Sequence, residues 1–113
     1  MKVKILAGVL SLTGALILSP AALAADADAA QALAKKEGCL KCHAVDKKKE
    51  AKSLKDIGAK YKGKPDAEAK LMHQITSGEK VKLEDGTEEE HKIIKTKDKA
   101  EINNLIGWIL SIK

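Results

Sequence analysis

Two cysteines, Cys39 and Cys42, stand three residues apart, and His43 follows at once. They are the only cysteines in 113 residues. On one helical turn, positions i and i+3 lie on the same side. Two thiols placed there can each add to one of the two vinyl groups of a porphyrin. The next residue then swings under the ring, where an imidazole nitrogen can bind iron. Cys-x-x-Cys-His is the attachment pattern of a covalent c-type haem. A chain built on it must wrap a flat, apolar group.

Other uses of a cysteine pair fit less well. A thioredoxin-type redox pair expects a βαβ context, and no convincing strands are legible here. A zinc site needs two more ligands at finger-like spacing. His73 and His91 are too far apart for a His-x-x-x-His pair. A structural disulfide is possible in an exported protein.

The first residues read as an export signal. Lys2 and Lys4 form a positive start, Ile5 to Leu18 is apolar, and Ser19-Pro20 breaks it before Ala22-Leu23-Ala24. Small residues in that A-x-A pattern mark a cleavage site. The apolar run is shorter than the roughly 20 residues a membrane span needs. The expectation is a cleaved leader over residues 1–24 and a mature domain over residues 25–113. A lysine-started, short leader suits a bacterium, so the expected destination is the periplasm, where haem is attached to such motifs.

The mature stretch has single-domain length and can bury only a small core. It holds one Trp, one Tyr and no Phe, so an ordinary aromatic core is missing and a buried haem would take its place. The full chain carries +5; without Lys2 and Lys4, 19 basic residues face 16 acidic ones, a net of +3. About two haem propionates would bring this close to neutral. Distribution therefore matters more than the total, and lysines crowd between Lys47 and Lys64.

Helices are marked by caps and periodicity. Asp26 to Lys36 is alanine-rich and ends at Gly38. Ala30 and Ala34, one turn apart, suit a close helix crossing. Ser53 and Asp56 form a capping box before Leu54, Ile57 and Tyr61. Gly63-Lys64-Pro65 breaks the chain. Asp66 then caps a helix through Ile75 that Gly78 ends. Glu79 to Lys97 reads as a long polar loop with a turn at Asp85-Gly86. Loops this long in small domains usually have a function. Asp98 and Glu101 open the last helix, where Ile102, Leu105, Ile106, Ile109 and Ile112 repeat at helical steps. Gly107 interrupts it, and a close crossing on the Ala30/Ala34 face would explain a glycine there.

Taken together, these segments resemble a small bacterial class I cytochrome c. The match runs from Gly38-Cys39-Leu40-Lys41-Cys42-His43 through Leu54 to Tyr61 and Leu71-x-x-x-Ile75-x-x-Gly78, then to Glu101-Ile102 and Trp108-Ile109-Leu110. The resemblance implies an all-α fold whose first and last helices cross while the middle helices wrap one haem c. It implies thioether bonds at Cys39 and Cys42 and an axial bond at His43. It also implies a monomeric one-electron carrier, not an enzyme, that serves periplasmic or membrane redox proteins and binds no nucleic acid. Other cytochromes of an outer-membrane electron conduit would be partners by analogy.

Two departures stand out. The family's Gly-Pro after the haem motif, whose proline carbonyl accepts the axial imidazole N–H, is replaced by Ala51-Lys52. A backbone carbonyl could still serve. The family's distal methionine is also missing from the loop before the last helix. His91 stands near its place and is the expected sixth ligand. Met72, the only methionine after the leader, is the alternative. His73, off the Leu71/Ile75 face, reads as exposed or hydrogen-bonded. A haem enzyme or gas sensor with an open distal site is the competing function. The chain has no arginine and shows no second catalytic constellation to support it.

Overall fold

The computed structural model describes residues 24–113, together with Gly8 and Gly14. The leader expected over residues 1–24 therefore lies outside the described residues, apart from Gly8, Gly14 and Ala24. The elements run α1 (Ala27–Lys36), a single 3-10 turn (Cys39–Lys41), α2 (Leu54–Tyr61), α3 (Ala67–Ser77), β1 (Lys80–Lys82), β2 (Glu88–Glu90) and α4 (Lys99–Ser111). Among the described residues no helix is long and apolar enough to cross a membrane.

Three caps set where helices begin. The Asp26 carboxylate accepts from the Ala29 N–H, the Ser53 hydroxyl from Asp56, and the Asp98 carboxylate from Ala100 and Glu101. Each satisfies donors that the first helical turn leaves orphaned. Asp66 differs from expectation. Its side chain makes no cap bond and instead pairs with Lys70 at 3.0 Å, one turn along the same face.

The core forms where α1, α2 and α3 each pack on α4. Ala30 and Ala34 are 1% and 0% exposed, so two small side chains let α1 come close. The crossing is fixed at its far end by Asn104, whose Oδ1 accepts from the Asp26 N–H at 2.8 Å. Its Nδ2 donates to the Asp26 carbonyl at 2.9 Å. Ile102, Leu105, Ile106, Trp108 and Ile109 supply the buried face of α4.

The glycine that a close crossing requires is Gly58, not Gly107. A Cβ on Gly58 would run into the Ile109 carbonyl, so α2 can lie on α4 only without one. Gly107 faces Ala25, whose Cβ stands 3.6 Å from where a Gly107 Cβ would be. That is an ordinary van der Waals contact, so the Ala30/Ala34 explanation for Gly107 does not hold.

The region expected to be a long polar loop with a turn at Asp85-Gly86 has that turn, but an antiparallel hairpin is built around it. Lys80 pairs with Glu90, Val81 with Glu89 and Lys82 with Glu88. Opposite charges directly across a ladder attract. Leu83 N–H bonds back to the Thr87 carbonyl at 2.8 Å, and Asp85 accepts from the Thr87 N–H and hydroxyl. β1 offers one apolar residue, Val81, between two lysines, and β2 is three glutamates; strands this short carry too little alternation to be legible. The fold is otherwise helical, as expected.

Candidate haem site

Gly38 takes a left-handed backbone, φ 81°, a conformation that other residues adopt only with strain. It ends α1 and turns the chain into the Cys39–Lys41 turn. The His43 N–H bonds back to the Cys39 carbonyl at 3.0 Å, so both sulfurs and the imidazole project from one tight coil. Cys39 and Cys42 are partly buried free thiols. Burial pushes the Cys39 thiol above its ordinary range. At Cys42 burial acts first, and the Glu50 carboxylate, 3.6 Å from Sγ, adds to it.

The His43 Nδ1 donates to the Lys52 carbonyl at 2.6 Å. This fixes the ring and leaves Nε2 for a metal. The carbonyl comes from the Ala51-Lys52 pair that departs from the family's Gly-Pro. Its position is set on both sides, because the Ala51 N–H bonds the Cys42 carbonyl at 3.0 Å and Ser53 caps α2 directly after it.

His91 faces His43. Their ring centroids are 6.3 Å apart and their planes are tilted by 45°. The His91 Nδ1 donates to the Lys92 carbonyl at 3.0 Å, so its Nε2 is also left free. Burial lowers the His91 pKa from its usual value; the nearby His43 lowers it further, against the raising effect of the Lys92 carbonyl. A neutral imidazole is the form that ligates metals. For a first-row metal, two metal–nitrogen bonds of about 2.0 Å, each extended by the roughly 1.1 Å from ring nitrogen to ring centre, span about 6.2 Å. The residues present fit an iron held between two imidazoles.

Met72 sits on α3, partly buried against the apolar core. His73 lies at the surface, where its Nε2 meets the Glu79 carboxylate at 2.8 Å, as its position off the apolar face implied. Among the described residues no group of three or more His, Cys, Asp or Glu is placed to hold a metal, so the pair of imidazoles has no acidic or thiolate company of the zinc type.

Two features escaped sequence reasoning. The hairpin reaches back to the segment that follows His43: the Glu84 N–H bonds the Glu50 carbonyl at 3.1 Å, and Lys48 pairs with Glu84 at 2.9 Å. The other is Glu37, 5% exposed, whose carboxylate accepts from the Lys95 N–H at 2.7 Å and the Thr96 N–H at 3.2 Å. A signal was available. An acid at the end of Lys35-Lys36-Glu37 opposes the helix dipole, so it needed N–H donors from elsewhere.

The family model for cytochrome c matches residues 27–113. The crystal structure of the class 1 cytochrome MtoD from Sideroxydans lithotrophicus ES-1 is 56% identical. Its superposition covers 79% of this chain and 98% of that one, with a TM-score of 0.75. Cytochrome c-551 of Stutzerimonas stutzeri is 36% identical over 117 residues, 97% of this chain and 98% of the relative. Cytochrome c-551 of Pseudomonas aeruginosa is 42% identical over 48 residues, 42% of this chain, and there the chain spans about half of the relative, 46%. The chain therefore belongs to the cytochrome c family, whose members carry electrons on a covalently attached haem c.

Proposed function

We propose that the mature protein is a periplasmic one-electron carrier, not an enzyme, with its haem joined to Cys39 and Cys42 and its iron bound by His43 and His91. The observation that carries the reading is the opposition of two half-buried imidazoles, each anchored through Nδ1 to a backbone carbonyl. When bound, the haem supplies one-electron exchange at iron. The chain's work is to hold the ligands still, exclude water and set the potential. Two imidazoles favour ferric iron more than imidazole plus thioether does, since thioether is a soft donor. Glu88, Glu89 and Glu90 lie on the strand that leads into His91 and push the same way, although solvent screens them.

The surface supports a carrier that docks briefly. Lys47, Lys48, Lys49, Lys52, Lys55 and Lys60 are exposed on the loop and helix that follow His43. The Lys49 ammonium reaches the Leu40 carbonyl within the haem motif at 3.1 Å. These cations suit an acidic redox partner, such as another cytochrome of an outer-membrane conduit.

The absorption spectrum of the purified protein, with and without CO, tests the reading. A six-coordinate low-spin haem that ignores CO is expected. High-spin haem that binds CO avidly would point to an enzyme or gas sensor with an open distal site. A colourless protein would leave only thiol-disulfide chemistry.

A further inference from the structure

The segment that carries His91 is held in place mostly by residues far from it in sequence. The His91 N–H bonds the Glu79 carbonyl at 2.9 Å, and the Ile94 N–H bonds the Ile75 carbonyl at 2.9 Å. Beyond Ile94 the backbone turns away from α3 and meets Glu37. There each carboxylate oxygen accepts one main-chain N–H, from Lys95 and from Thr96. Lys92 adds a contact at the same place, with its ammonium end lying over Gly38. The distal segment thus closes onto Glu37-Gly38-Cys39, the stretch in which the haem motif begins.

Hydrogen bonds to an ionised acceptor are roughly twice as strong as neutral ones. Losing the carboxylate would also leave two backbone donors without partners in a partly buried place. Glu37 lies two residues before Cys39, so its position is fixed by the same coil that presents the thiols.

From this geometry we infer that Glu37 is a positioning residue for the distal ligand: its carboxylate clamps the Lys95–Thr96 backbone to the start of the haem motif and so sets how often His91 leaves the iron. The inference rests on the reading of His91 as the sixth ligand. It gives the covalent anchor and the distal ligand a common mount. Glu37 stands two residues before Cys39, which would carry a thioether, and it holds the backbone of the segment bearing His91.

The test uses the holoprotein. An added ligand such as imidazole can bind ferric iron only after His91 departs. The clamp therefore appears in the rate of imidazole binding and in amide exchange at Lys95 and Thr96. Glu37→Ala should speed imidazole binding by roughly tenfold or more, the factor matching one lost charge-assisted hydrogen bond. Glu37→Gln keeps one acceptor oxygen and should fall between the variant and the wild type, which preserves the test if Glu37→Ala does not fold. Asn104→Ala is the control. It breaks the Asp26–Asn104 bonds at the far end of α1 and should lower stability without speeding ligand exchange. If both Glu37 variants exchange at the wild-type rate, or Asn104→Ala speeds exchange as much as they do, the positioning role is wrong. His91→Ala separates the two ideas. An unchanged low-spin spectrum there removes the distal reading and the clamp's role with it. A changed spectrum there, with unaltered exchange in the Glu37 variants, removes the clamp alone.

Discussion

The imidazoles of His43 and His91 stand 6.3 Å apart, centre to centre. Each turns its Nδ1 outward to a main-chain carbonyl. Among the described residues neither ring hydrogen-bonds to a side chain. The Lys52 and Lys92 carbonyls belong to backbone that caps and hydrogen bonds already fix, so the separation is a property of the fold.

One prediction concerns helix crossing. Gly58→Ala should destabilise the holoprotein by about 1–3 kcal/mol, since the new methyl must push α2 off the Ile109 carbonyl. Gly107→Ala should be neutral or stabilising by up to about 1 kcal/mol, because helix propensity improves and Ala25 leaves ordinary room. Thermal unfolding decides, at about 4–8 °C per kcal/mol for a domain of this size. Equal losses in both variants would mean the crossing is set elsewhere.

The proximal side gives a second. Ser53, 1% exposed, caps α2 immediately after the carbonyl that His43 uses. Ser53→Ala should cost about 1 kcal/mol. By loosening Lys52 it should also shift the reduction potential. An unmoved potential in a destabilised variant would separate the cap from the axial ligand.

How much of this was legible in the sequence depends on the kind of residue. Cys39, Cys42 and His43 announce their chemistry by spacing alone. Asp26, read as the first helical residue, proves to be the cap of α1, whereas the capping residues Ser53 and Asp98 mark helix starts because their side chains compete for the same N–H groups in any context. Asp66 looked identical but pairs with Lys70, a choice made by an i, i+4 cation rather than by the cap. His91 was suggested by a missing methionine and a resemblance, not by its own neighbours. Of the hairpin only the turn at Asp85-Gly86 was legible, because strands of three residues, Lys-Val-Lys and Glu-Glu-Glu, show too little alternation and find their partners only across the ladder. Glu37 could be seen as misplaced at a helix end, but its partners lie 58 and 59 residues away. Gly58 and Gly107 are indistinguishable until the crossing is known.

Export and loading can be tested by intact mass. Protein taken from the periplasm should have the mass of residues 25–113 plus one haem. A species that retains residues 1–24, or lacks the haem, would contradict the proposed processing.

Docking should depend on salt. If the exposed lysines after His43 steer an acidic partner, electron transfer in stopped flow should slow markedly as the Debye length falls from about 10 Å at 0.1 M to about 3 Å at 1 M. Charge reversal at Lys52 and Lys60 should flatten that dependence. A rate indifferent to salt in the wild type would remove this face from the mechanism.

The ligand pair is the central claim, and near-infrared magnetic circular dichroism of the ferric protein reads it directly. Wild type and Met72→Ala should both show the charge-transfer band of a bis-histidine haem. His91→Ala should lose that band, turning high-spin or recruiting another ligand. If His91→Ala keeps the wild-type band, or if Met72→Ala abolishes the low-spin state instead, His91 is not the distal ligand.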